Sequence, residues 1–203
     1  YNSNVYTLSA YLLEQGALPF NGGTVEDNPE AIALRIDELL KSSDMVITTG
    51  GASVGDYDWA VTAAERTGAD ILFWKTQMKP GGSIIAAEKG GKLILSLSGN
   101  PGAAVLGLFA LGLPYIRSLC GRLDLYPEKI KVPLRNDFDK GSPLLRFLRG
   151  RLEIIDGTAF FCENEGQGSG AVASLKNCDL LGLIPAGSPP LKAGTLIEAY
   201  KLS

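Results

Sequence analysis

Up to about residue 120 the chain alternates between helix-like and strand-like stretches, and beyond that point the helical signal stops; this change limits the possible folds more than any other feature. "NVYTLSAYLLEQGA" sets Val5, Leu8, Leu12 and Leu13 at helical spacing and ends at Gly16, which predicts an amphipathic helix with a glycine stop. "NPEAIALRIDELLKSS" starts with Asn28 as cap and Pro29 at the first helical position, then repeats Ile32, Ile36, Leu39 and Leu40 on one face. "DMVITTGG" reads as a short apolar strand, "WAVTAAERTGA" as a helix, "DILFWKTQM" and "GKLILSLSGNP" as strands, and "GAAVLGLFALGLPYIRSLCG" as a helix. Such alternation implies right-handed crossovers and a three-layer α/β domain with a mostly parallel sheet covered on both faces.

From residue 124 onward only short alternating runs remain, broken by Gly, Pro, Asn and Asp. "RFLRGRLEII", Asp156-Gly157 and "TAFFCE" form a hairpin pattern, because an Asp-Gly pair accepts the positive φ of a tight turn. "CDLLGLIP" and "GTLIEAYKL" supply two more strands, and together these runs predict a small β-barrel or closed sandwich. The 203 residues are thus expected to divide into an α/β domain over 1–122 and an all-β domain over 124–203.

Composition removes several function classes. Net charge is −3 with the basic residues scattered, which lacks the electrostatic footprint of a nucleic-acid binder. The most apolar run, residues 103–114, is shorter than the roughly 20 residues a membrane helix needs and reads as a buried helix. Histidine is absent, so no His-dependent triad or His-ligated zinc can form within the chain. Cys120, Cys162 and Cys178 lack metal-ligand spacing and read as buried free thiols of a reducing compartment; with no basic leader, this gives a cytoplasmic expectation. A start at Tyr1 predicts a piece of something longer.

Three predicted strand ends carry unusual loops, where ligands of open α/β sheets bind. In "VITTGGASVGDYD", Gly50, Gly51 and Gly55 free the backbone so that successive amides can face an anion, although a structural turn explains them as well. In "FWKTQMKPGG", a continuous strand would put Lys75 and Lys79 on one side, about 13 Å apart. Both could equally be solvated surface lysines. In "LILSLSGNPGAAV", the strand runs through Ser98, Gly99, Asn100 and Pro101 into a helix whose N-terminal amides suit phosphate, the plainer alternative being an Asn-Pro turn that caps the helix.

"TTGGASVGDYD", "FWKTQMKPGG" and "LSGNPGAA", in that order, resemble the molybdopterin molybdenumtransferase family, called MoeA in bacteria and represented by the E domain of eukaryotic gephyrin. The resemblance begins at "YNSNVY" and runs to the C-terminus. It implies a molybdopterin-binding α/β domain, its first strand lying before this chain, followed by a β-barrel domain. The implied reaction converts adenylylated molybdopterin and molybdate into molybdenum cofactor and AMP, assisted by Mg2+, a cation that favours oxygen ligands. Carried over by position, Asp58 and Asp27 would bind or orient metal and molybdate, and Lys75 and Lys79 would neutralise ligand charge. Gly50, Gly51, Ser53, Gly55, Ser98, Gly99, Asn100 and Pro101 would line the phosphate and pterin site, with Arg149 of "FLRG" and Ser169 of "EGQGSG" helping from the second domain. Asp27 also reads as a turn residue ahead of the Asn28 cap, Asp56 as solvated, and Arg149 and Ser169 as ordinary hairpin and loop residues.

The family has Lys-Pro where Gly82 and Ser83 stand and Pro where Ser98 stands, so this site has less positive charge and a less rigid loop. A tungstate-specific transferase, a molybdopterin- or molybdate-binding paralogue and a non-catalytic scaffold all stay open. The partners the resemblance implies are a second copy in a full-length homodimer and the molybdopterin adenylyltransferase; neither nucleic acid nor membrane is expected.

Overall fold

The computed structural model describes residues 3–51 and 59–202; Ser53, Gly55, Asp56 and Asp58 lie outside the described residues. Helix α1 (Ser3–Glu14) has the predicted extent, but its inner face differs from the spacing argument. Leu8 is buried while Leu13 is 58% exposed, and the other residue turned fully inward is Asn4, 5% exposed. Helix α2 (Pro29–Leu40) starts as expected: the Asn28 side chain accepts hydrogen bonds from the Glu30 and Ala31 amides at 2.9 and 3.2 Å. Ile36 and Leu40 enter the core, with Ile32 and Leu39 packed at its edge.

Strands β1 (Met45–Thr49), β2 (Asp70–Trp74), β3 (Met78–Lys79), β4 (Ile85–Lys89) and β5 (Lys92–Leu97) follow, with helix α3 (Trp59–Arg66) between β1 and β2. The first sheet has the order β1-β5-β4-β2, and only its β1–β5 pair is parallel. The mostly parallel expectation is corrected here, because "IIAAEK" forms a strand that the sequence reading passed over. Gly90 and Gly91, both at positive φ, close a two-residue turn between Lys89 and Lys92, and that turn folds β4 back against β5. The signal was a Gly-Gly pair between two apolar runs. What obscured it was Ala86 and Ala87, small residues of weak strand propensity that are nevertheless fully buried.

The helix after β5 runs over Pro101–Leu119, 19 residues, as α4 (Pro101–Gly107), a π-helical turn (Leu108–Gly112) and α5 (Leu113–Leu119). Pro114 explains the wide turn. It has no N–H to return to Ala110, and the Leu113 amide instead reaches back five residues to the Leu108 carbonyl. By length and composition alone this helix could cross a membrane, which corrects the expectation that no segment is long enough. Its packing is that of a core helix: Leu106, Leu108, Phe109 and Leu113 are buried in one cluster with Ile84, Leu95 and Leu97.

The second sheet contains β6 (Lys129–Pro133), β7 (Leu145–Ile155), β8 (Thr158–Glu163), β9 (Leu180–Ile184) and β10 (Leu196–Lys201). Its order is β3-β7-β9-β10-β6, with β8 paired to β7 through the predicted Asp156-Gly157 turn. The sheet is open, which corrects the closed barrel. Where β8 and the end of β6 approach, a single Leu134–Phe161 bridge and the Arg135 amide donating to the Phe161 carbonyl span the seam. β3 joins the halves of the chain: Met78 and Lys79 pair in parallel with Leu145 and Arg146. Met78 accordingly shares a core with Phe147 and Leu181 of the second sheet as well as with Leu95 of the first.

The three thiols are free but not alike, since Cys120 is exposed, Cys178 half-buried and Cys162 buried. Burial, aided by the Glu153 carboxylate, pushes the Cys162 thiol up to about 11. At pH 8 a maleimide should therefore modify Cys120 first and leave Cys162 unmodified while the protein is folded. Labelling of Cys162 at the rate of Cys120, read by mass spectrometry, would contradict this packing.

Candidate functional site

β1 and β5 are parallel neighbours, so the loops leaving their carboxyl ends lie side by side. Gly50 and Gly51 take φ of +91° and +71°, a region that side chains disfavour, and the Gly50 amide donates to the Leu97 carbonyl at 3.2 Å. A Cβ on Gly99 would stand 3.5 Å from Gly50 Cα, so two backbones pass each other with little side-chain bulk between them. From beneath, the buried Asn4 donates its Nδ2 to the Gly99 carbonyl at 3.0 Å, while its Oδ1 is buried without a partner. Sequence reasoning passed over Asn4, since a polar residue one turn from Leu8 looks like a solvent-facing position.

The lysine loop differs from its predicted form. β2 ends at Trp74, Lys75 takes φ of +68°, and β3 belongs to the other sheet, so Lys75 and Lys79 do not lie along one strand. The Lys75 and Thr76 amides donate instead to the Ile84 and Gly82 carbonyls, folding the segment back on itself. Both lysines are exposed; Lys75 Nζ stands 4.4 Å over the Trp74 ring, and Lys79 neighbours Arg146 across the β3–β7 pair. A side chain at Gly82 would meet only ordinary contacts.

The third loop meets the second half of the chain. Asn100 precedes α4 without capping it; its Nδ2 donates to Ser169 Oγ at 3.2 Å, and its amide donates to Ser98 Oγ at 3.2 Å. The Ala103 amide in the first turn of α4 donates to the Ser169 carbonyl at 3.1 Å. Part of the helix N-terminus expected to receive phosphate is thus held by a peptide carbonyl of the 166–171 loop.

Behind that loop lies Arg149, 0% exposed. Its Nη2 donates to the Gly168 carbonyl at 3.2 Å, its Nε approaches Gln167 Oε1 at 3.4 Å, and its Nη1 has no hydrogen-bond partner among the described residues. Among the described residues no carboxylate forms an ion pair with it. Burial pulls the guanidinium below its ordinary value. Nη1 faces the start of α4, where a Cβ on Gly102 would lie 2.5 Å away. Burying an uncompensated cation is costly, and the positive end of a helix is the least favourable neighbour for one. Nη1 packs directly against Gly102 and leaves no room for an anion, so a ligand could satisfy both only by displacing the 166–171 loop.

Asp27 is exposed on the bend before Asn28, and among the described residues no hydrogen bond or ion pair ties it to Lys75, Lys79 or the glycine turns. No group of three or more acidic or thiol side chains among them could hold a metal ion. The described donors do not fit a Mg2+ site. Among the described residues, an open hollow of about 430 Å³ is bordered by Phe161, Glu163 and the outer side of Gln167, and another of about 610 Å³ lies beside α2.

Residues 1–118 match the family model described as a probable molybdopterin binding domain, and residues 131–202 match the MoeA C-terminal region, domain IV. The chain belongs to the molybdopterin-binding domain family. Within it, the second match defines the MoeA type. Proteins named molybdopterin molybdenumtransferase from Staphylococcus aureus strain MRSA252 and Staphylococcus epidermidis ATCC 12228 are each 33% identical, over 86% and 85% of this chain. The chain spans 42% and 41% of their lengths. The fold is also that of a molybdopterin biosynthesis MoeA protein from Pyrococcus horikosii, with TM-score 0.79 at 23% identity over 98% of this chain and 48% of that one. A molybdenum cofactor biosynthesis protein from Pyrococcus furiosus matches with TM-score 0.75 at 22% identity, over 98% of this chain and 64% of that one.

Gly102→Val would drive side-chain atoms into Arg149 Nη1 and the Ser169 carbonyl. The expected result is a loss of about 1–3 kcal/mol, as for other overpacked positions, measured by urea unfolding. Unchanged stability would contradict the close approach of the loop to α4.

Proposed function

We propose that the chain forms the C-terminal part of a transferase in molybdenum cofactor biosynthesis, which takes adenylylated molybdopterin and molybdate and releases AMP. Carrying this reading is the buried Arg149 without a carboxylate partner, set against the first turn of α4 beside the Gly50 and Gly99 turns. A pterin dithiolene joined to a nucleotide by a diphosphate is strongly anionic. Arg149, the amides of Gly51 and α4, and Ser169 would hold the diphosphate, with Lys75 and Lys79 neutralising charge at the rim. As water forms an O–P bond to the pterin-side phosphorus and the phosphoanhydride P–O bond to AMP breaks, negative charge collects on the departing AMP phosphate and these cations would stabilise it; the dithiolene sulfurs replace oxygens of molybdate, which leave as water. Ser98, Asn100 and Pro101 would fix the turn that faces the ligand.

Asp27 and Asp58 are proposed as the carboxylates that orient the oxyanion and any assisting cation. The division into a ligand-binding unit over 1–122 and a covering unit over 124–203 is part of the same proposal, in which the second unit supplies Arg149 and Ser169. Assembly as a homodimer and transfer of substrate from the molybdopterin adenylyltransferase are further parts of it.

The test supplies adenylylated molybdopterin with and without molybdate to the full-length protein that contains this chain and follows AMP by chromatography. AMP release should require molybdate and fall about 100-fold in Arg149→Ala, the scale expected for removing one positioned charge stabiliser. Release without molybdate, or an unaffected Arg149→Ala protein, would reject the proposal.

A further inference from the structure

The geometry points to Gln167 as the positioning residue that holds the Arg149 guanidinium against α4 through neutral hydrogen-bonding groups, so that its positive charge is not tied up in an ion pair and stays available to an anion. This rests on the anionic-ligand reading above. Gln167 Oε1 accepts from the Arg149 backbone amide at 3.0 Å and approaches Arg149 Nε at 3.4 Å. Its Nε2 donates to the Arg149 carbonyl and to the Asn164 carbonyl, each at 2.7 Å. One carboxamide thus serves both backbone polar groups of Arg149 and faces the near end of its side chain, fixing the strand position and the direction in which the guanidinium leaves it.

The choice of amide matters. Gln167 and Glu have nearly the same shape, but a carboxylate in place of Oε1 would pair with Arg149 and cancel the charge facing α4. It would also lose the two N–H bonds to carbonyls. Glu163 and Glu165 precede Gln167 along the chain, and the Glu163 carboxylate acts on the Arg149 guanidinium through space, yet among the described residues no carboxylate forms an ion pair with Arg149 and the side chain hydrogen-bonded to it is the neutral one. The Gly168 carbonyl, also neutral, holds Nη2, and Nη1 remains unengaged. An arginine kept in place by uncharged acceptors keeps its field for a ligand.

The experiment compares the 203-residue chain with its Gln167→Glu, Gln167→Ala and Arg149→Lys variants. Nitrogen-15 NMR identifies the Arg149 Nε–H signal by its loss in Arg149→Lys and reads its exchange with water; calorimetry reads binding of inorganic pyrophosphate. Gln167→Ala should speed Nε–H exchange about 10-fold or more, since an unclamped side chain samples solvent. Gln167→Glu should keep the signal protected while weakening pyrophosphate binding about 10-fold. If either variant unfolds, the other still decides. Slow Nε–H exchange retained in Gln167→Ala, or pyrophosphate affinity undiminished in Gln167→Glu, overturns the assignment. Accelerated exchange in Gln167→Ala with no pyrophosphate bound by the unaltered chain supports the clamp and instead refutes the anionic-ligand reading.

Discussion

A fully buried guanidinium that forms no ion pair among the described residues, placed against the start of a helix, is the contact that the rest of this site depends on. It sits where the two halves of the chain meet. Arg149 comes from the long β7 strand, and α4 follows the central β5 strand of the first sheet. The parallel β3–β7 pair and the shared core around Met78 hold these elements in register, so the charge is positioned by packing that lies outside the site itself. The neutral carbonyls of Gly168 and Ser169 occupy the Arg149 Nη2 and Ala103 N–H donors. Both donors are thus satisfied by carbonyls of the chain's own 166–171 loop.

Burial makes such a site both costly and effective. In a low-dielectric setting an unpaired cation destabilises the fold, and the same setting strengthens its attraction for an entering anion. The exposed lysines contribute differently. Lys75 and Lys79 stand in solvent, where screening would limit what each adds to affinity for the proposed ligand while leaving long-range attraction. Asn4 supports the opposite side, bonded to the Gly99 carbonyl under the turn.

Much of the architecture was legible in the sequence because it rests on local physics. The Asn28-Pro29 start, the glycine after α1 and the Asp156-Gly157 hairpin each have a mechanism confined to a few residues. What was misread depends on tertiary context. Alanines in β4 carry weak strand preference until a sheet buries them, the segment after Trp74 switches sheets at a left-handed Lys75, and the seam of the second sheet is spanned by an isolated bridge in place of a paired ladder. The candidate site divides in the same way. The glycine turns and the helix start could be read from spacing, whereas the burial of Arg149, the inward turn of Asn4 and the bonds of Gln167 arise only when residues distant in sequence come together.

Crystals soaked in tungstate and measured at an energy where tungsten scatters anomalously test the central claim most directly. An oxyanion centred within about 4 Å of Arg149 Nη1, on the side facing Gly102 and Asn100, is the result this account predicts, as expected for a charge-assisted contact to a tetrahedral ion. Anomalous density confined to other surface cations, with Arg149 still sealed beneath the 166–171 loop at saturating tungstate, would contradict it.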